Sequence, residues 1–175
     1  MNYILLFILS SLYYFQIKGS PNSDQIVRFA KSKIGCGYVW SGEGQILTED
    51  EINYLHNQYP DEVDPNVVSR WLGKQVYDCS GLVMKAFETI EISLYHNAHY
   101  AWSETNWAEK GPIANYPRDK VCILYRYNSE KERMVHTGIY IGGNRFIHAK
   151  SSADGVVMES MSYSWTHYAI PQGLY

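Results

Sequence analysis

Apolar residues recur at three- and four-residue steps through Leu82, Val83, Ala86, Phe87 and Ile90, which predicts a helix with one buried stripe. Cys79 lies on the same stripe, so its thiol points at whatever the helix packs against, and Asp78 is the predicted N-cap. The period then changes. From Val135 to Ile141 the side chains alternate, with Val135, Thr137, Ile139 and Ile141 on one face and His136, Gly138 and Tyr140 on the other. That alternation predicts a strand, and the glycine beside His136 leaves room above it for a helix or a substrate. Gly142-Gly143-Asn144 reads as a hairpin turn into a second strand over 145–149, on which Phe146 and His148 share a face. If that face is the one carrying His136, the two imidazoles meet.

The remaining pattern is simpler. Asn22 or Ser23 is expected to cap a first helix with Ile26, Phe29, Ala30 and Ile34 on one face, ended by Gly35 and Gly37. Residues 43–75 carry their own helical signals. Thr48-Glu49-Asp50-Glu51 has the capping-box pattern, Ile52 and Leu55 follow at helical spacing, and Pro65 opens a short helix. Residues 96–117 read as an aromatic loop, 121–127 as a strand, and 129–133 as a charged loop into the His136 strand. Asp154-Gly155 turns into a last strand over 156–159. Residues 3–17 are mostly apolar, too short to span a bilayer, and broken by Ser10 and Ser11. With Gly19 and Ser20 as small residues beyond them, and despite the lack of Lys or Arg at the start, residues 1–19 are expected to be a signal peptide. The expected mature chain, 20–175, is secreted or extracytoplasmic, without a membrane span, and monomeric.

Composition fits one domain. The chain has 175 residues, 46% of them hydrophobic, enough for one sizeable core. A net charge of −3 with a pI near 6.0 leaves no electrostatic footprint for nucleic acid. Three cysteines suit one functional free thiol; Cys36 and Cys122 either pair with each other or stay as two free thiols. No CxxC occurs, and His56, His96, His99 and His167 lack metal-ligand spacing, so neither a metal nor another cofactor is expected.

The chemistry lies in Cys79 and His136. A thiol at a helix start sits in the field of unpaired N–H groups, which favours thiolate, and a histidine on a facing strand can take and return a proton. These are the parts of a nucleophilic cysteine hydrolase, with His148 as the group that fixes the ring of His136.

Four segments, in order, resemble the NlpC/P60 cysteine peptidases, which cleave peptide stems of bacterial cell walls. They are Gly37-Tyr38-Val39-Trp40, Tyr77-Asp78-Cys79-Ser80-Gly81-Leu82-Val83, His136-Thr137-Gly138-Ile139-Tyr140-Ile141-Gly142 and Phe146-Ile147-His148-Ala149, spanning about two thirds of the chain. The resemblance implies a papain-like α+β fold, with the Cys-bearing helix packed on an antiparallel sheet that bears the His residues. It implies Cys79 as nucleophile, His136 as base, His148 as orienting residue and Tyr38 in the oxyanion hole. Asp78 and Ser80 flank the nucleophile, and the family also has Ser after its Cys. It implies peptidoglycan peptides or muropeptides as substrates, with a D-glutamyl–diamino acid bond as the expected target.

Three departures stand out: Ser41-Gly42-Glu43-Gly44 after Trp40, the length of the 43–75 insert, and Pro117-Arg118-Asp119 where the family has Pro-Gly-Asp. They bear on substrate preference. The insert is tethered at both ends beside the expected cleft, and Trp71 is its residue expected to face substrate. Two alternatives remain: an amidase cutting the sugar–peptide bond, and a non-catalytic wall-binding module of the same fold.

Overall fold

The computed structural model describes residues 19–161 and 164–175. The apolar run at 3–17, and with it the expected signal peptide apart from Gly19, lies outside the described residues. Helix α1 (Pro21–Ser32) opens the fold, followed by β1 (Gly37–Tyr38), β2 (Glu43–Ile46), α2 (Glu49–Gln58), α3 (Pro65–Val68) and β3 (Gln75–Tyr77). Next come α4 (Cys79–Glu88), α5 (Ala98–Glu104), β4 (Trp107–Pro112), β5 (Cys122–Asn128), β6 (Arg133–Gly142), β7 (Arg145–Ser151), β8 (Gly155–Ser160) and β9 (His167–Pro171). The architecture is α+β. A six-stranded antiparallel sheet, ordered β4-β9-β5-β6-β7-β8, carries α1 and α4, and a small sheet β1-β3-β2 stands beside it.

The main core joins Ile26 and Ala30 of α1 to Leu82, Ala86 and Phe87 of α4 and to Ile123, Ile139 and Ile147 of the large sheet. Each large apolar side chain buried there contributes about 1.5–3 kcal/mol. At the β6–β7 turn Gly142 pairs with Arg145, so Gly143 and Asn144 form a two-residue loop with φ of 59° and 61°. Positive φ at both positions is what such a turn requires, and Gly and Asn supply it at low cost.

The 43–75 insert folds around a second small core of Leu47, Ile52, Leu55, Val63 and Val68 against Val39 and Val76. Trp71 fastens it to the large sheet. Its Nε1–H donates to the Ser152 carbonyl at 2.7 Å, and Arg70 reaches the Ala153 carbonyl at 2.8 Å. The indole occupies space that two glycines leave open: a Cβ at Gly37 would lie 2.5 Å from Trp71 Cγ, and one at Gly155 3.0 Å from Cη2. Trp71 is therefore a staple between the insert and the β7–β8 turn, not the substrate-facing residue expected of it.

Other differences have local causes. Ile34 lies past the end of α1 and is 43% exposed, because the helix stops at Lys33 and Gly35 turns the chain at φ +88°. The stretch read as a loop over 96–117 holds α5 and β4. α5 buries only Ala98 and Ala101, so it has no stripe of large apolar residues to reveal it. β4 is an edge strand paired only with β9, and its Glu-Lys-Gly-Pro end shows no alternation.

Candidate active site

Asp78 organises the start of α4. Its Oδ1 accepts from the Gly81 amide at 2.7 Å and the Ser80 hydroxyl at 2.9 Å. Its Oδ2 accepts from the Ser41 amide at 3.0 Å and is 2.9 Å from His96 Nε2. The loop after Trp40 is clamped on the helix end, where Gly42 O takes the Asp78 amide at 2.7 Å. A Cβ at Gly81 would lie only 2.1 Å from that oxygen, so this turn of the helix must be glycine.

Cys79 follows, 7% exposed, on the inward stripe of α4. Its thiol is pushed up to about 12, first by burial and then by the neighbouring Asp78 carboxylate; hydrogen bonding from the Thr137, Ser80 and Cys79 amides only partly offsets this. Burial, and then the capping Asp78 carboxylate beside the sulfur, thus oppose the field of the helix start. The Thr137 contact fixes the sulfur at the residue after His136.

His136 is 6% exposed and held down to about 3 by burial, with His148 and Arg126 adding to the effect. Its Nε2 is 2.8 Å from His148 Nδ1, so the two faces do match as the alternation suggested. His148 Nε2 is in turn 3.0 Å from Glu159 Oε2, and Lys150 donates to Glu159 Oε1 at 3.0 Å. Burial works against the Glu159 carboxylate, but the hydrogen bonds from Lys150 and His148 outweigh it and hold it below its ordinary value. Burial likewise keeps His148 below its ordinary value despite Glu159. The hydrogen-bond pattern assigns the tautomers. Glu159 accepts from His148 Nε2–H, the bare His148 Nδ1 accepts from His136 Nε2–H, and His136 Nδ1 is left as the basic nitrogen.

The sequence reading missed three contributors. Glu159 is the first. Trp165 is the second: its ring stacks on His136 at 5.5 Å between centroids and 16° between planes, and meets His148 edge-on. The room above Gly138 is for this indole, since a Cβ there would lie 3.0 Å from both Trp165 Cη2 and His148 Cβ. Neither helix nor substrate fills it. His96 is the third, bonded to Asp78 from the loop before α5. Burial first, and then the nearby Asp78 carboxylate, keep the Tyr38 phenol protonated. Ser80 lines the cavity, but its hydroxyl is committed to Asp78. Cys36, Cys79 and Cys122 are all free thiols.

Cys79 opens on a cavity of about 510 Å³. One wall is Trp40 with Tyr59 and Glu62 of the insert, one is the start of α4 with His96 and Asn97, and one is Lys131, Arg133, Met134 and Val135. The insert does wall the cavity, through Tyr59 and Glu62 rather than Trp71. Trp40 and Tyr59 lie 6.4 Å apart between ring centroids. Among the described residues no cluster of His, Cys, Asp or Glu could hold a metal ion.

His96 gives the site a measurable pH signature. Its pKa is raised, chiefly by the hydrogen bond to Asp78, with burial opposing. A raised folded value means that its contribution is complete below the unfolded value of about 6.5 and is lost as pH rises through the folded value. His96→Ala should therefore cost about 1–2 kcal/mol at pH 5.5 and distinctly less at pH 9, read as urea unfolding of variant against parent. A pH-independent difference would refute the ion pair.

The NlpC/P60 family model matches residues 35–172, and the chain belongs to that family. The chain is 27% identical over 134 residues to peptidoglycan endopeptidase RipA of Mycobacterium tuberculosis, covering 77% of this chain and 23% of that protein. It is 33% identical over 90 residues to murein DD-endopeptidase MepS/murein LD-carboxypeptidase of Escherichia coli K12, covering 51% of this chain and 44% of that one. The chain thus spans less than half the length of either relative. In fold it is similar to the P60 domain of a Mycobacterium avium subspecies paratuberculosis antigen, with a TM-score of 0.60 at 15% identity over 88% of this chain and 96% of that domain. The papain-like fold expected of the Cys-bearing helix and antiparallel sheet is the one observed.

Proposed function

We propose that the protein is a cysteine peptidase that hydrolyses amide bonds in peptidoglycan stem peptides, cutting between D-glutamate and the diamino acid. The observation that carries this reading is the ordered chain Glu159–His148–His136, which ends on a bare Nδ1 one residue from the amide that contacts the Cys79 sulfur. The names of RipA and MepS support the substrate class.

In the resting site thiol and imidazole are both neutral. As Cys79 Sγ attacks the carbonyl carbon, its proton passes to His136 Nδ1, and the new positive charge is spread toward His148 and Glu159. The Cys79 amide and the protonated Tyr38 hydroxyl donate to the oxyanion, each such donor being worth ~10²–10³ in rate. His136 then gives its proton to the leaving amine, and the C–N bond breaks to leave a thioester. A water, deprotonated by His136, attacks the thioester, and the Cys79 thiol departs with the proton returned. The same reading has the protein act outside the cytoplasm as a monomer; among the described residues no helix is long and apolar enough to cross a membrane.

Digestion of purified muropeptides with mass analysis of the products tests the reading. Fragments ending in D-glutamate, paired with fragments beginning at the diamino acid, are expected. Intact stem peptides freed from sugar would instead identify an amidase, and unchanged muropeptides would refute hydrolysis.

A further inference from the structure

We propose that Lys131 and Arg133 form an anion subsite of the Cys79 cavity that binds a free carboxylate of the substrate peptide. The inference rests on the peptide-hydrolase reading of that cavity and names what it recognises.

Both cations line the cavity, and Glu132 between them does not. The β5–β6 loop sets this arrangement. Asn128 and Arg133 pair across its base, the Asn128 side chain accepts from the Lys131 amide at 2.9 Å, and Glu132 turns at φ +48°.

Among the described residues these two charges stand without an ion pair. Lys85 pairs with Glu88, and Lys150 with Glu159. Lys33, Lys74, Lys110 and Lys120 lie over aromatic rings. Among the described residues Lys131 and Arg133 have neither kind of contact, nor do Arg28, Lys31, Arg126 and Arg145, but of these six only Lys131 and Arg133 line the cavity. Two unneutralised cations on one wall repel each other by a modest amount that an anion between them would reverse.

Their place along β6 limits which carboxylate they meet. Arg133 is four residues from Thr137, which marks the sulfur, so the backbones are roughly 13 Å apart at ~3.4 Å per residue. An extended peptide covers about 3.3–3.6 Å per residue, so the bound carboxylate lies about two to four residues from the scissile carbonyl once side-chain reach is included. Glu62 on the insert wall makes the cavity bipolar and favours one direction for a zwitterionic peptide. Neutral sugar offers the cations no charge to pair with, so the subsite favours the peptide over the glycan.

The test uses the Cys79→Ala protein, which binds without turnover, titrated by calorimetry with a stem tetrapeptide and with forms in which each carboxylate is singly converted to carboxamide. One amidation should weaken binding about tenfold, as loss of a charge-assisted contact does. Adding Lys131→Ala and Arg133→Ala should remove that discrimination, leaving acid and amide within about twofold, and raising salt should weaken only the acid form. Equal binding of acid and amide forms by Cys79→Ala, an unchanged ratio after both substitutions, or no binding of any form overturns the subsite. Turnover by the parent protein is scored separately. Discriminating binding without parent turnover would sink the hydrolase reading and keep the subsite, whereas turnover with no discrimination would do the reverse.

Discussion

Cys79→Ala will lose muropeptide hydrolysis by ~10⁴-fold or more while keeping its folded stability to within about 1 kcal/mol. The rate follows from removing the attacking atom, since groups that act as a unit lose nearly everything when one of them goes. Stability is largely spared because the change removes a single sulfur, and the capping bonds of Asp78 to Ser80 and Gly81 stay in place. The same residue should show a distinctive reactivity. Burial and Asp78 push its thiol up to about 12, while burial holds His136 down to about 3, so a neutral resting pair is the expected state. Iodoacetamide alkylation of Cys79, followed by peptide mass mapping, should therefore keep accelerating with pH from 6 to 9, because only the thiolate reacts. A rate that is flat across that range would mean a preformed thiolate–imidazolium pair and would overturn this resting state. Retained hydrolysis in Cys79→Ala would remove the nucleophile assignment altogether.

What the chain disclosed in advance follows from which interactions are local. The α4 stripe through Leu82, Val83, Ala86 and Phe87 and the alternation along β6 repeat within one element, so a single pass along the sequence finds both. The meeting of His136 and His148 was legible because a two-residue turn and the pleat fix which side chains share a face. Glu159 needed one further register, Phe146 against Glu159 across β7 and β8, which the sequence pattern does not set. His96 and Trp165 reach the site from irregular segments, where no period exists to place a side chain. Trp71 misled because an aromatic residue in an insert beside a cleft looks the same whether it staples or binds. Only the glycines facing it, Gly37 and Gly155, distinguish the two, and they become neighbours only in the fold. The state of the thiol was not legible for a related reason: the helix field can be counted from the sequence, but the burial that opposes it, with the Asp78 carboxylate beside the sulfur, is set by the fold.

The histidine chain gives a ranked series of effects. His136→Ala should fall almost as far as Cys79→Ala, by ~10³-fold or more, because the proposed base is gone. His148→Ala should cost roughly 10–10²-fold, since His136 keeps its nitrogen but loses the acceptor that holds its tautomer and its angle. Glu159 is subtler. In Glu159→Gln, an amide oxygen kept on Lys150 would present NH₂ to His148 Nε2. That would reverse both hydrogen bonds and put the proton of His136 on Nδ1, where it cannot serve as base. The amide can escape by flipping, at the cost of only the weak, solvent-exposed Lys150 contact, so the loss in kcat should be at most about fivefold. The diagnostic outcome is rescue. Lys150→Ala added to Glu159→Gln frees the amide to turn its oxygen to His148 and should restore most of the lost kcat, whereas Lys150→Ala alone should change little. If the second substitution deepens the defect, or if Glu159→Gln matches the parent across its whole pH profile, Glu159 does not set the tautomer of the pair. A His148→Ala protein more impaired than His136→Ala would exchange the roles of the two histidines.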